Sequence, residues 1–166
     1  FAEAWPELRG LLEVRPAVIV DAANVVGSVP DGWWKDRAGA TARLRDRLDA
    51  WARRGVEAEQ VALDSTRWHP RVVLVAEGAA RDVADPEDRA DVACAVEIVR
   101  APGSGDDAIV DVVRGPVAAG DRVFVVTSDR GLSSRIEALV GAGGPAEVRP
   151  VRWLLEQLGD GAPSAD

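Results

Sequence analysis

The sequence predicts an α/β domain with a central, mostly parallel sheet of about five strands. Three observations carry that expectation. Short runs such as Ala17-Val18-Ile19-Val20 are apolar at every position, as in strands covered on both faces. Segments with apolar residues at helical spacing alternate with these runs. No internal repeat interrupts the alternation, and no low-complexity tract precedes Leu158.

The first strand is Ala17 to Asp21, followed by a Gly- and Pro-containing loop, Gly27 to Gly32. A long helix is expected from about Ala38 to Arg54, with Asp36 as its cap and Leu44, Leu48 and Trp51 as its buried stripe. Gly55 ends it. Val56 to Pro70 is the least readable stretch. The second strand is Arg71 to Val75, and the polar segment Glu77 to Arg89 is read as partly helical. The third strand is Val96 to Val99. Pro102-Gly103-Ser104 then leads into a helix from about Gly105 to Arg114, with Ile109, Val112 and Val113 facing the core. The fourth strand is Arg122 to Thr127, followed by a helix from about Gly131 to Val140. Glu147 to Arg149 is a short fifth strand, and Val151 to Leu158 the last helix.

A chain of 166 residues fits one domain, here 1–158, with its core at about 17–155 and a flexible tail at 159–166. The absence of Met and the start at Phe1 suggest that the natural beginning lies upstream. Apolar residues at 47% and charged residues at 29% exclude a wholly disordered chain. No apolar run reaches the roughly 20 residues of a membrane span. A single cysteine, Cys94, cannot close an internal disulfide, and a buried inert thiol is expected of it. With His69 the only histidine, a Cys/His zinc site is excluded. A cytoplasmic location follows from the lack of a targeting segment. Arg outnumbers Lys 19 to 1 within the 20 basic residues, a bias typical of GC-rich bacterial genomes. The net charge of −8 argues against a broad non-specific nucleic-acid surface.

Ligands of parallel sheets bind beyond the carboxyl ends of the strands. Three strands deliver acids to that rim: Asp21 directly, Asp106 and Asp107 through the Pro102-Gly103-Ser104 turn, and Asp129 through Thr127-Ser128. Asp111 shares a helix face with Asp107, one turn on. Each acid also has a structural reading. Ser104 and Asp107 form a capping-box pattern, Asp129 is placed to cap the next helix, and Asp21 to close a turn. Together, however, these carboxylates repel, so one is protonated or a cation lies among them. An all-oxygen set selects Mg²⁺ or Mn²⁺.

Val18-Ile19-Val20-Asp21-Ala22-Ala23-Asn24-Val25 resembles the opening motif of NYN domains, especially the YacP-like branch of the PIN-like nuclease superfamily. Gly105-Asp106-Asp107-Ala108-Ile109-Val110-Asp111 resembles the Asp-Asp helix start of that family. Val125-Val126-Thr127-Ser128-Asp129-Arg130-Gly131-Leu132 resembles its Thr-x-Asp motif. The motifs stand in the family's order. The resemblance implies a three-layer α/β/α PIN-like fold and a Mg²⁺- or Mn²⁺-dependent ribonuclease that hydrolyses phosphodiesters with metal-activated water. It implies Asp21, Asp107 and Asp129 as core metal ligands and Asp106 and Asp111 as supporting or second-ion ligands. Asn24 would orient Asp21 or a metal-bound water, and Ser128 would sit beside Asp129 and bond to it or to substrate.

Trp33 and Trp34 are candidates for a base-stacking platform, or else pack under the first helix. Arg37, near the acidic loop, is the best phosphate candidate among the helix arginines, which otherwise pair with Asp46 and Asp49. Arg130 is placed to contact substrate phosphate or to neutralise Asp129 or Asp107. His69, ahead of the second strand, belongs to the opposite rim and reads as a turn residue. The expected partner is RNA, single-stranded or structured, with no membrane and with a homodimer left open. Two alternatives stand beside a ribonuclease: a non-catalytic RNA- or protein-binding module on the same fold, and a phosphohydrolase of small nucleotides.

Overall fold

The structure, a computed structural model, describes residues 16–57, 67–84 and 96–159. Strand β1 (Ala17–Asp21) is followed by helix α1 (Ala22–Ser28), a short 3-10 turn (Trp33–Lys35) and helix α2 (Arg37–Arg54). Then come β2 (Val56–Glu57), β3 (Arg67–Trp68), β4 (Arg71–Ala76), a second 3-10 turn (Gly78–Asp82) and β5 (Val96–Arg100). The chain continues through α3 (Gly105–Ala118), β6 (Val123–Val126), α4 (Arg130–Val140), β7 (Ala146–Arg149) and α5 (Val151–Leu158).

The main sheet has five strands, all parallel, in the order β5-β4-β1-β6-β7. Alternation along each strand divides the core in two. Val18, Val20, Val72, Leu74, Phe124 and Val126 face α1, α2 and α5. Ile19, Val73, Val75, Val123 and Val125 face α3 and α4. Layers of helix therefore cover both faces, and the expected α/β/α architecture is found. Both faces being covered explains why the strands read as unbroken apolar runs. Trp153 joins three elements: its ring is edge-on to Trp51 at 6.3 Å and stacked on Phe124 at 6.3 Å.

Leu44, Leu48 and Trp51 are buried as expected. Asp36 caps α2 through the Gly39 N–H at 2.8 Å, and Gly55, at φ 83°, ends it. His69 lies at the amino end of β4, where its Nδ1 meets the Ala52 carbonyl at 3.2 Å. It is a turn residue at the rim opposite the acids.

Several boundaries differ from the sequence reading. The segment directly after Asp21, to which the sequence reading gave no element, is helix α1, which also takes in Gly27 and Ser28 of the expected loop, because Asp21 itself caps it and Ala22 and Val25 bury against the sheet. Helix α3 runs four residues past Arg114, through Gly115 and Pro116. Ile109, Val113 and Pro116 form one buried stripe, so packing outweighs the missing Pro N–H near the helix end. The fourth strand is shorter than Arg122 to Thr127, ending at Val126. The Ser104 capping box does not form: Ser104 makes no side-chain cap bond. Glu77 takes the position instead, its Oε2 accepting from the Gly105 N–H at 2.6 Å. Val56 to Glu57 and Arg67 to Trp68 pair antiparallel. Cys94, residues 58–66 and 85–95, the first fifteen residues and the tail from 160 on lie outside the described residues. Among the described residues no helix is long and apolar enough to cross a membrane.

Candidate active site

The strand order places β4 and β5 on one side of β1, and β6 and β7 on the other. The connections diverge between β1 and β6, and a crevice opens there beyond the strand ends. The register sets Val20 opposite Val126, so Asp21 and Thr127 meet across that crevice.

Asp21 is 9% exposed, at the end of an apolar strand. Its Oδ1 accepts from the Asn24 N–H at 3.1 Å and its Oδ2 from the Thr127 hydroxyl at 3.0 Å. Thr127 Oγ1 in turn accepts from the Asp129 N–H at 3.1 Å. Asn24 Oδ1 accepts from the Ser128 N–H at 2.8 Å, and Ser128 Oγ accepts from the Val151 N–H at 3.3 Å. Asp129 Oδ1 accepts from the Leu132 N–H at 2.8 Å and so caps α4. One continuous network thus ties β1, α1, the β6–α4 turn and α5. It satisfies a buried carboxylate that would otherwise be costly.

These bonds do not balance the electrostatics. Burial pushes the Asp21 carboxyl above its ordinary value, the bonds from Asn24 and Thr127 oppose that, and the charges of Asp106 and Glu77 add to it. Asp106 is also pushed up, first by burial, then by Asp129, with Glu77 and Asp107 adding and Arg135 opposing. Asp21, Asp106, Asp107, Asp129 and Glu77 therefore share one field at the rim, as the strand-end rule predicts.

The other expected site residues are placed as follows. Asp107 pairs with Arg135 at 2.6 Å, in a largely exposed pair. Asp111 pairs with Arg114 at 3.6 Å, one turn farther along α3. Arg130 makes no ion pair among the described residues, with neither Asp129 nor Asp107. The Arg37 guanidinium lies 5.0 Å over the Trp33 ring. Trp33 is half-buried and edge-on to Trp34 at 6.2 Å. Trp34 is 59% exposed, the large apolar side chain left in solvent among the described residues, and so does not pack under α2. Arg43 reaches Asp31 at 3.7 Å, while Arg53 pairs with Asp49 at 2.8 Å as expected of a solvated helix face.

Three residues were not singled out from the sequence. Thr127 stands inside a motif and orients Asp21. Glu77 directly follows β4, so the rule that found Asp21 also finds Glu77. Arg135 has no local signal, since its link to Asp107 joins α4 to α3. Among the described residues, no group of three or more His, Cys, Asp and Glu side chains is arranged to hold a metal ion.

No protein-family model matches the chain, and no curated protein matches it. Among solved structures, the crystal structure of a mutant of Rae1 (YacP) from Bacillus subtilis is similar, at 18% identity over 87% of this chain and 74% of that one, with a TM-score of 0.49.

Proposed function

We propose that this chain is a Mg²⁺- or Mn²⁺-dependent ribonuclease whose site is the carboxylate rim at the β1/β6 crevice. The observation that carries the reading is the crowding of acids at one partly buried rim, where burial, with the neighbouring carboxylates adding to it, raises both Asp21 and Asp106. Among the described residues, Arg135 is the cation that offsets the charge around Asp106, and it is already paired with Asp107. An all-oxygen, net-negative donor set fits a hard divalent ion. Asp21, Asp106 and Asp129 would hold it, with Asp107 joining on release from Arg135. Asp111 stays outside this set. Such an ion, when bound, polarises a phosphate oxygen and acidifies water.

The chain's own residues do the rest. Asn24 and Thr127 fix the rotamer of Asp21, so the carboxylate is preorganised before substrate arrives. Arg130 and Arg37, neither with a carboxylate partner among the described residues, are available to phosphate. Trp34 offers an exposed aromatic face to an unpaired base.

The test is cleavage of an end-labelled single-stranded RNA with Mn²⁺, with Mg²⁺ and with chelator, by wild type, Asp21→Asn and Asp107→Asn. Metal-dependent cleavage by wild type alone is expected. Inert wild type with both ions refutes the reading, and phosphate release from free nucleotides instead of RNA cleavage would make the protein a nucleotide phosphohydrolase. A second reading, a non-catalytic RNA-binding module, is favoured by the lack of a preassembled ligand group among the described residues. It requires RNA binding that survives chelation without cleavage.

A further inference from the structure

Beside the acidic rim is a recess of about 100 Å³ between α1, the Trp33–Lys35 turn, the first turns of α2 and the end of β4. Drug-sized ligands occupy about 300–1,000 Å³. The recess therefore takes one ring of a ligand and not the whole of it. Val26 and Ala80 give it apolar walls, and Trp33 with Arg37 a flat one. Two polar groups remain. The Thr41 hydroxyl already donates to the Arg37 carbonyl at 2.8 Å. Glu77 is the other: its Oε2 accepts from Gly105 at 2.6 Å, and its Oε1 has no partner among the described residues.

We propose that this recess binds a nucleobase, and that Glu77 selects bases carrying an exocyclic amino group over uracil. The inference rests on the nuclease reading for its substrate class and adds to it a base preference next to the scissile phosphate. A flat aromatic–guanidinium wall accepts any base face. A carboxylate acts only as acceptor. Adenine, cytosine and guanine each offer it an exocyclic amino hydrogen, whereas uracil has its O4 acceptor at that position and only the ring N3–H to donate. Arg37, without a carboxylate partner among the described residues, is left to neutralise the attached phosphate. Glu77 is also one of the charges acting on Asp21, so recess and acidic rim are contiguous.

The test is equilibrium binding of AMP, CMP, GMP and UMP to the full chain in chelator, where no cleavage occurs. A single charge-assisted hydrogen bond of about 1.5 kcal/mol corresponds to roughly ten-fold weaker binding of UMP than of AMP or CMP. Trp33→Leu should weaken all four. Glu77→Gln should erase or reverse the preference, because the amide oxygen can keep the Gly105 N–H while the amide nitrogen donates to O4. Melting temperatures of both variants establish that they fold. Equal binding of the four nucleotides by wild type overturns the proposal. So does an unchanged affinity in a folded Trp33→Leu, or an unchanged preference in a folded Glu77→Gln. The measurement is independent of cleavage: a preference without RNA hydrolysis leaves the recess standing and removes the nuclease, and hydrolysis without preference does the reverse.

Discussion

Gly105→Ala should destabilise the protein, against the usual effect of that substitution in a helix. Ala normally gains about 0.5–1 kcal/mol over Gly in a helix. Here, a Cβ on residue 105 would meet Glu77 Oε2 at 2.7 Å and its Cδ at 3.0 Å. Glu77 can swing away, so the steric conflict itself is relieved. What is lost is its 2.6 Å bond to the Gly105 N–H at the start of α3. A hydrogen bond to a charged group contributes about 1.5–3 kcal/mol. The net loss is therefore about 1–2 kcal/mol, or roughly 2–8 °C in melting temperature for a domain of this size. Thermal unfolding followed by far-UV circular dichroism measures it. A double-mutant cycle with Glu77→Ala isolates the cause. In the Glu77→Ala background, Gly105→Ala should become neutral or stabilising. A higher melting temperature for Gly105→Ala alone, or additive effects in the cycle, would refute this role of Glu77.

Other outcomes follow from the same network. Burial, with Asp106 and Glu77 adding, raises the Asp21 carboxyl, so the folded state holds that proton more tightly than the unfolded chain. Its contribution is full below the ordinary carboxyl value and is lost as pH rises through the folded one. Asp21→Asn should therefore melt higher than wild type at pH 7, with the gap closing toward about pH 4, in a pH series of melting curves. Thr127→Val removes the donor to Asp21 and the acceptor for the Asp129 N–H at a 2% exposed position. It should cost about 1–3 kcal/mol in denaturant unfolding. Arg135→Ala breaks a pair whose side chains are 44% and 70% exposed, so stability should change by no more than about 0.5 kcal/mol. The released Asp107 should tighten Mn²⁺ binding about two- to five-fold by calorimetry.

The five strands of the main sheet and their parallel direction were legible because burial on both faces leaves an unbroken apolar signature, as in Ala17 to Val20 and Val123 to Val126. The convergence of Asp21, Asp106, Asp107 and Asp129 on one rim was legible because the carboxyl ends of parallel strands point the same way. Helix α1 was not. Its seven residues include Val25, Val26 and Gly27, poor helix formers, and it stands because Asp21 caps it and the core covers it. The Ser104 cap was read from local spacing alone. The competing acceptor, Glu77, is 28 residues away in the chain and adjacent only after β4 and β5 pair. The Asp107–Arg135 pair depends likewise on how α3 and α4 pack. Local capping patterns name which groups compete for a helix end, and the tertiary fold decides among them.

The most direct measurement is a Mn²⁺ titration by calorimetry on wild type and Asp21→Asn. Saturable binding by wild type, lost in a variant that melts as high or higher, is the predicted result. An absence of binding by wild type, or equal binding by Asp21→Asn, would contradict a divalent-ion site at the β1/β6 rim.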